Sequence, residues 1–317
     1  MAKIVVTGAG GYVGGRLIPI LAEAGWHVHG IVREPTPRLS IEESVCDLGS
    51  PGSYDVVAAA CDGADALIHL AGENEVEAAQ RPAAALAGTV TATERVAEAC
   101  AATGVRRLVY TSTMHVYGAR VAPGATLLEE MRVEPRSVYA ISRLASEHIA
   151  ASRAANAYEL LVLRLTNTVG APDHASVDRW SLIVNDLCRQ AATVGRLELR
   201  SSGLQWRDFV PLASVCNAIA FACDTSGPTL APGTYNLGSG TPRTVRSVAE
   251  LIQDAFERET GERPPLHAPA ASGPAPEPYH VSVERASEQG VVLGDPLEAA
   301  ILDTVRFCLQ HREELTG

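Results

Sequence analysis

Apolar positions in the first half of the chain fall into short β-branched runs separated by longer stretches with helical spacing. Lys3–Thr7 (KIVVT), His27–Val32 (HVHGIV), Ala66–Leu70 (ALIHL) and Arg107–Thr111 (RLVYT) predict strands. Between them, Tyr12–Ala24 and Arg95–Ala102 repeat apolar residues at helical spacing. Each stops near a glycine, Gly25 or Gly104, that can end a helix. A further helix over Ser137–Ala155 and a strand over Glu159–Leu165 continue the alternation. Uniformly apolar strands alternating with helices predict a doubly wound α/β fold, its parallel sheet covered on both faces.

Beyond Gly170 the alternation breaks. Helices are expected near Leu182–Ala192, Val215–Cys223, Val245–Glu257 and Leu297–Gln310, among frequent prolines and glycines. The stretch Pro264–Pro278 (PPLHAPAASGPAPEP) is too rich in proline for regular structure and reads as an extended surface loop. The simplest organisation is one α/β domain over residues 1–169 and a smaller lobe over 170–317, with about 205–236 returning to the first domain.

Charge narrows the function. Lys+Arg number 26 against Asp+Glu 37, a net charge of −11, with no basic run to neutralise phosphates, so nucleic acid is not an expected partner. No apolar stretch approaches the ~18 residues that span a bilayer. The first strand starts at Lys3, leaving no room for a signal peptide. The seven cysteines are scattered and form no CxxC pair, which suits buried thiols in a reducing compartment. Neither metal-ligand spacing nor a Gly-x-Ser-x-Gly elbow occurs. A cytoplasmic protein with a small-molecule partner is the expectation.

Gly8-Ala9-Gly10-Gly11-Tyr12-Val13-Gly14 follows the first strand and opens the first helix. Gly8, Gly11 and Gly14 permit a tight turn, close approach of backbone to a pyrophosphate, and close helix–strand packing, the requirements of a Rossmann-like dinucleotide site. The helix N-terminus, from Tyr12 and Val13 on, points N–H groups at the phosphates. NAD binders place a carboxylate at the end of the second strand for the adenosine ribose. Val32 stands there, with Arg33 beside it, and a guanidinium suits a 2′-phosphate. NADP(H) is therefore expected ahead of NAD(H), with Glu34 left as a possible ribose ligand.

Further motifs resemble those of the extended short-chain dehydrogenases/reductases, the branch of nucleotide-sugar epimerases, dehydratases and reductases. Tyr139-Ala140-Ile141-Ser142-Arg143 resembles the YxxxK motif with arginine for lysine. Thr111–Gly118 (TSTMHVYG) resembles the segment carrying the catalytic Ser/Thr and VYG, and Arg164–Gly170 the RxxNxxG segment. Arg207–Val210 (RDFV) and Tyr235–Gly240 (YNLGSG) follow in the family's order.

The resemblance implies hydride transfer at a ring carbinol or ketone, C4 above all, of a nucleotide-diphosphate sugar. Tyr139 would be the acid/base and Thr113 would bond the same oxygen. Asp47 and Leu48 would contact adenine; Leu70, Ala71 and Gly72 would line the cofactor cleft; Asn167 and Arg207 would approach the diphosphate. Independently of family, a phenol near pKa ~10 is a poor base, and a cation one helical turn away favours its phenolate. Arg143 keeps that charge but cannot relay a proton as a neutral amine.

Met114 and His115 stand where the 4,6-dehydratases carry Asp-Glu, which disfavours dehydration and leaves His115 as an unconventional pocket residue. Ketoreduction is placed slightly ahead of 4-epimerisation. A cofactor-binding homologue without catalysis is the third reading, because of Arg143. The resemblance also implies a homodimer through the helix of Tyr139, with Leu144 and Ile149 at the contact. His69 is expected to be a satisfied core histidine.

Overall fold

The computed structural model describes residues 2–224, 229–274, 276–294 and 296–316. The strands of three or more residues are, in chain order, β1 (Lys3–Thr7), β2 (His27–Val32), β3 (Glu42–Val45), β4 (Ala66–His69), β5 (Arg107–Thr113) and β6 (Glu159–Leu165). Then come β7 (Asn167–Val169), β8 (Trp206–Pro211), β9 (Gly233–Leu237) and β10 (Pro242–Thr244). Seven of these pair in parallel in the order β9-β6-β5-β4-β1-β2-β3. Strand order reverses between β1 and β4, the point at which an open α/β sheet leaves a crevice beyond the carboxyl ends of its strands. The candidate site forms there.

The helices are α1 (Tyr12–Glu23), α2 (Ser53–Cys61), α3 (Glu75–Gln80), α4 (Pro82–Thr103) and α5 (Val138–Ala154). After them come α6 (Ile183–Val194), α7 (Leu212–Cys223), α8 (Val245–Thr260) and α9 (Leu297–Gln310). Side chains of β1 alternate between two cores. Ile4 and Val6 pack with Leu17 and Ile18 of α1 and Val215 and Ile219 of α7. Val5 packs on the other face with Val57 of α2 and Val96 and Cys100 of α4. The two clusters cover opposite faces of the sheet, as the uniformly apolar strands require.

A separate cluster, built on Val184, Leu187, Val248, Ile252, Ile301 and Val305, joins α6, α8 and α9. A small sheet, β10-β8-β7, lies beside it. The carboxyl-terminal part also contributes to the main sheet, since β9 is one of its strands and α7 packs against it. All seven cysteines are unpaired and six are buried. Among the described residues no helix is long and apolar enough to cross a membrane.

Several boundaries differ from the sequence expectation. β4 stops at His69 and β5 runs on to Thr113. The helix read over 95–102 is the last part of the 22-residue α4, whose first half is so rich in alanine, threonine and glycine that no apolar period shows. β3 was not expected because all four of its residues are only partly buried or exposed. Within the proline-rich stretch, Leu266–His267 does form a short strand, pairing with Leu197–Glu198, which corrects the expectation of wholly irregular structure.

Candidate active site

β1 ends at Thr7 and the backbone turns sharply at Gly8, whose φ of +70° lies in the left-handed region. A side chain there would also meet the Ala71 amide nitrogen at 2.9 Å, so the loop after β4 lies directly against the turn. Gly14 packs onto the Gly8 carbonyl with no room for a Cβ. Gly11 caps α1 without a side-chain bond, which leaves the first turn's N–H groups uncovered by any cap. A cradle of this kind fits a pyrophosphate.

The Tyr12 side chain does something else: its buried hydroxyl donates to the Gly170 carbonyl (2.8 Å) and accepts from Asn185 (3.3 Å). Its expected cofactor contact can come only from the backbone. Leu48 is buried in the core with its carbonyl bonded by Ser53, whereas Asp47 is exposed and accepts from Gly49. Val32 is buried, and Arg33 is exposed within range of the Glu73 and Glu77 carboxyls. Burial, then Glu77, raises the Glu73 carboxyl above its usual range.

A guanidinium that sequence reasoning overlooked, Arg38, lies against the glycine turn. It donates to the Gly10 carbonyl at 2.8 Å and pairs with Asp173 at 2.6 Å. Asp173 itself presses on Gly15 of α1.

At the end of β5, Thr113 is buried and its hydroxyl oxygen accepts the His115 amide at 3.2 Å, a bond that leaves the hydroxyl proton unused. The chain then winds into a tight turn that sends Met114 inward, against Tyr279, and His115 outward. The His115 ring is open to solvent yet hemmed in by the cleft. That desolvation, reinforced by Arg207 and opposed by Glu75, holds it below the usual histidine range. Its ring centroid is 6.1 Å from that of Tyr139, edge to face. His115 is thus a cleft residue and not part of the core.

α5 starts at Ser137, whose hydroxyl caps the Ala140 amide. Tyr139 at the helix start is half-buried, and Arg143, one turn on, is 7% exposed. The Arg143 Cζ lies 5.5 Å from the Tyr139 ring centroid. Its contacts to the Thr111 and Glu73 carbonyls are long, 3.5 and 3.4 Å, and its Nε has no partner. Tyr139, Arg143, Thr113 and His115 therefore share one wall of the crevice.

Three of the recognised motifs turn out to form one buried frame behind that wall. Arg164 binds both oxygens of Glu147 (3.1 and 2.7 Å) and donates to the Tyr117 hydroxyl (3.2 Å). Tyr117 donates to Asn236 at 2.7 Å, and Ser112 donates to Glu147. This fixes α5 against β5, β6 and β9. Asn167 donates to the Asp208 carbonyl at 2.8 Å, and the Asp208 carboxylate holds Thr166 and Ser239. Arg207 is half-buried, bonded to the Trp206 carbonyl at 3.0 Å.

Across the crevice, Glu75 of α3 pairs with Arg179 at 3.3 Å and accepts from Ser181 at 3.1 Å. Burial raises the Glu75 carboxyl, but Arg179 and these bonds outweigh it and the net shift is downward. The loop 170–182 is thus tied at two points, Asp173 and Arg179.

Residues 4–238 match the family described as "NAD dependent epimerase/dehydratase family". GDP-6-deoxy-D-mannose reductase of Pseudomonas aeruginosa is 28% identical over 266 residues, 81% of each chain. UDP-glucose 4-epimerase of Corynebacterium glutamicum is 26% identical over 302 residues, 90% of this chain and 89% of the other. Among solved structures, MoeE5 in complex with UDP-glucose and NAD superposes with a TM-score of 0.80 at 25% identity, covering 98% of this chain and 99% of that one.

Proposed function

Because this chain belongs to the NAD dependent epimerase/dehydratase family, we propose that it transfers hydride at C4 of a nucleotide-activated sugar, as a ketoreductase. The observation that carries this is the shared wall of Thr113, Tyr139 and Arg143 beside an uncapped glycine turn. A bound nicotinamide supplies the hydride. Tyr139 then gives its hydroxyl proton to the reduced oxygen, and Thr113 donates a hydrogen bond to the same atom. The cation of Arg143 stabilises the negative charge Tyr139 acquires in that step, and it stays protonated throughout, so the proton returns to Tyr139 by another path. Asn167 and Arg207 approach the diphosphate and His115 the sugar, whereas Met114, expected at the pocket wall, is buried against Tyr279 and drops out of the substrate set.

NADP(H) is the preferred cofactor in this reading. The buried Val32 offers the ribose hydroxyls nothing, while the exposed Arg33 follows it at the end of β2 and Arg38 lies against the glycine turn. The absence of carboxylates at positions 114 and 115 places dehydration last. The seven unpaired cysteines favour a reducing, cytoplasmic setting.

A 4-epimerase is the second reading, favoured by the two-point tie of loop 170–182, which suits a dinucleotide kept in place between removal and return of hydride. Purified protein is to be mixed with NADPH or NADH and a nucleotide 4-keto sugar while nicotinamide absorbance is followed. Stoichiometric oxidation of NADPH supports ketoreduction. Interconversion of UDP-glucose and UDP-galactose without net oxidation supports epimerisation. Dinucleotide binding without turnover on either substrate favours a non-catalytic homologue.

A further inference from the structure

The arginine at position 143 lies under a glycine, and the geometry of the pair is specific. An ideal Cβ on Gly72 would sit 2.9 Å from both terminal nitrogens of Arg143 and 3.0 Å from its Cζ. Near-equal distances to three atoms of one planar group mean that the Cβ direction strikes the flat face of the guanidinium. The edges, which carry the N–H donors, point elsewhere: toward the Thr111 and Glu73 carbonyls, with Nε unpartnered. The group is 7% exposed, and its ionisable neighbours include the phenols Tyr110 and Tyr139. Among the described residues no carboxylate forms an ion pair with it.

We propose that Gly72 is the positioning residue that lets arginine serve at position 143. This rests on the dinucleotide reading of the crevice given above. The missing side chain leaves a slot in which the guanidinium lies flat, within reach of Tyr139 and with donors left over for the hydroxyls of a bound ribose. A methyl at position 72 closes the slot and pushes the guanidinium off its two carbonyls. An ammonium on a thin stem is narrower than the planar fork and clears the same methyl. Positions 72 and 143 are therefore read together: arginine requires glycine, and lysine does not.

The backbone at Gly72 has φ of +146°, so alanine there also carries strain. A double-mutant cycle removes that term, since the strain is the same whichever residue occupies 143. Four full-length proteins are needed: wild type, Gly72→Ala, Arg143→Lys and the double variant. The readouts are NADPH and NADH affinity by fluorescence titration, and thermal melting. The expected result is that Gly72→Ala weakens dinucleotide binding about tenfold beside Arg143 and much less beside lysine, a coupling of the size found between residues in contact. Gly72→Ala folding only in the lysine background supports the slot equally. Equal losses in both backgrounds, no loss in either, or failure to fold in both overturn it, because backbone strain then accounts for the glycine. A wild-type protein that binds neither dinucleotide overturns the functional reading itself.

Discussion

The ring of His115 meets that of Tyr139 edge to face, centroids 6.1 Å apart, in the crevice where strand order reverses. Enclosure and Arg207 hold the imidazole below its usual range, so it is neutral at pH 7 and able to accept a proton. His115→Ala is expected to lower kcat by ~10²-fold if it moves a proton, and to raise KM alone if it only orients the sugar. The acid limb of the kcat/KM profile, placed below the ordinary histidine range, should vanish in the variant. Unchanged kinetics would remove His115 from the site.

Cofactor choice is tested at Arg33. Its replacement by alanine should weaken NADPH by roughly 1.5–3 kcal/mol, the scale of a charged hydrogen bond, and leave NADH almost untouched. Arg38→Ala separates the second guanidinium, which already pairs with Asp173. Equal losses for both dinucleotides in the Arg33 variant would show that this residue does not read the 2′-phosphate.

Stability should depend on His69. The ring is fully buried between Thr7 (2.7 Å) and Thr93 (3.1 Å), and burial, helped by Arg143, pushes its pKa down to about 3. Only the unfolded chain takes up the proton between the ordinary value near 6.5 and about 3, so stability is complete above about 6.5 and falls as pH drops through that window. The slope is about 1.4 kcal/mol per pH unit for one such group. Urea midpoints at pH 7 and pH 5 should converge in His69→Gln relative to wild type. An unaltered pH slope would count against the buried neutral ring.

Assembly is tested on α5. Leu144, expected at a subunit contact, is partly buried and packs against this chain's own cluster of Tyr117 and Met114. Ile141 on the same helix is 42% exposed. A homodimer through α5 predicts a dimer mass by light scattering at micromolar concentration, and a shift toward monomer in Ile141→Glu. A monomeric wild type would dismiss the dimer.

The glycine turn, the alternation of strands and helices and the Tyr139–Arg143 pair were legible because each depends on residues close in sequence. Loop chemistry was not. Arg38 and Asp173 are 135 residues apart, as Glu75 and Arg179 are 104 apart, and nothing local in either sequence announces a partner. Some motif residues serve the frame and not the crevice. Arg164, Tyr117 and Asn236 stand out as motif residues yet face inward, because a buried Glu147 demands partners for both oxygens. Asp208 likewise serves the backbone and hydroxyls around it. His69 was read correctly, since its place on an apolar strand decides its burial.

Both ties across the crevice, Asp173 to Arg38 and Arg179 to Glu75, come from the single loop 170–182. Over a dinucleotide bound as proposed, such a loop would behave as a bivalent clasp. When one ion pair opens, the other keeps the freed end at high effective concentration near its partner, so it closes again before the loop swings away. Escape of whatever lies beneath requires both to be open at once, and the two opening probabilities multiply. Modest, partly exposed ion pairs can then give long residence, and removing either one should shorten it out of proportion to that pair's own strength.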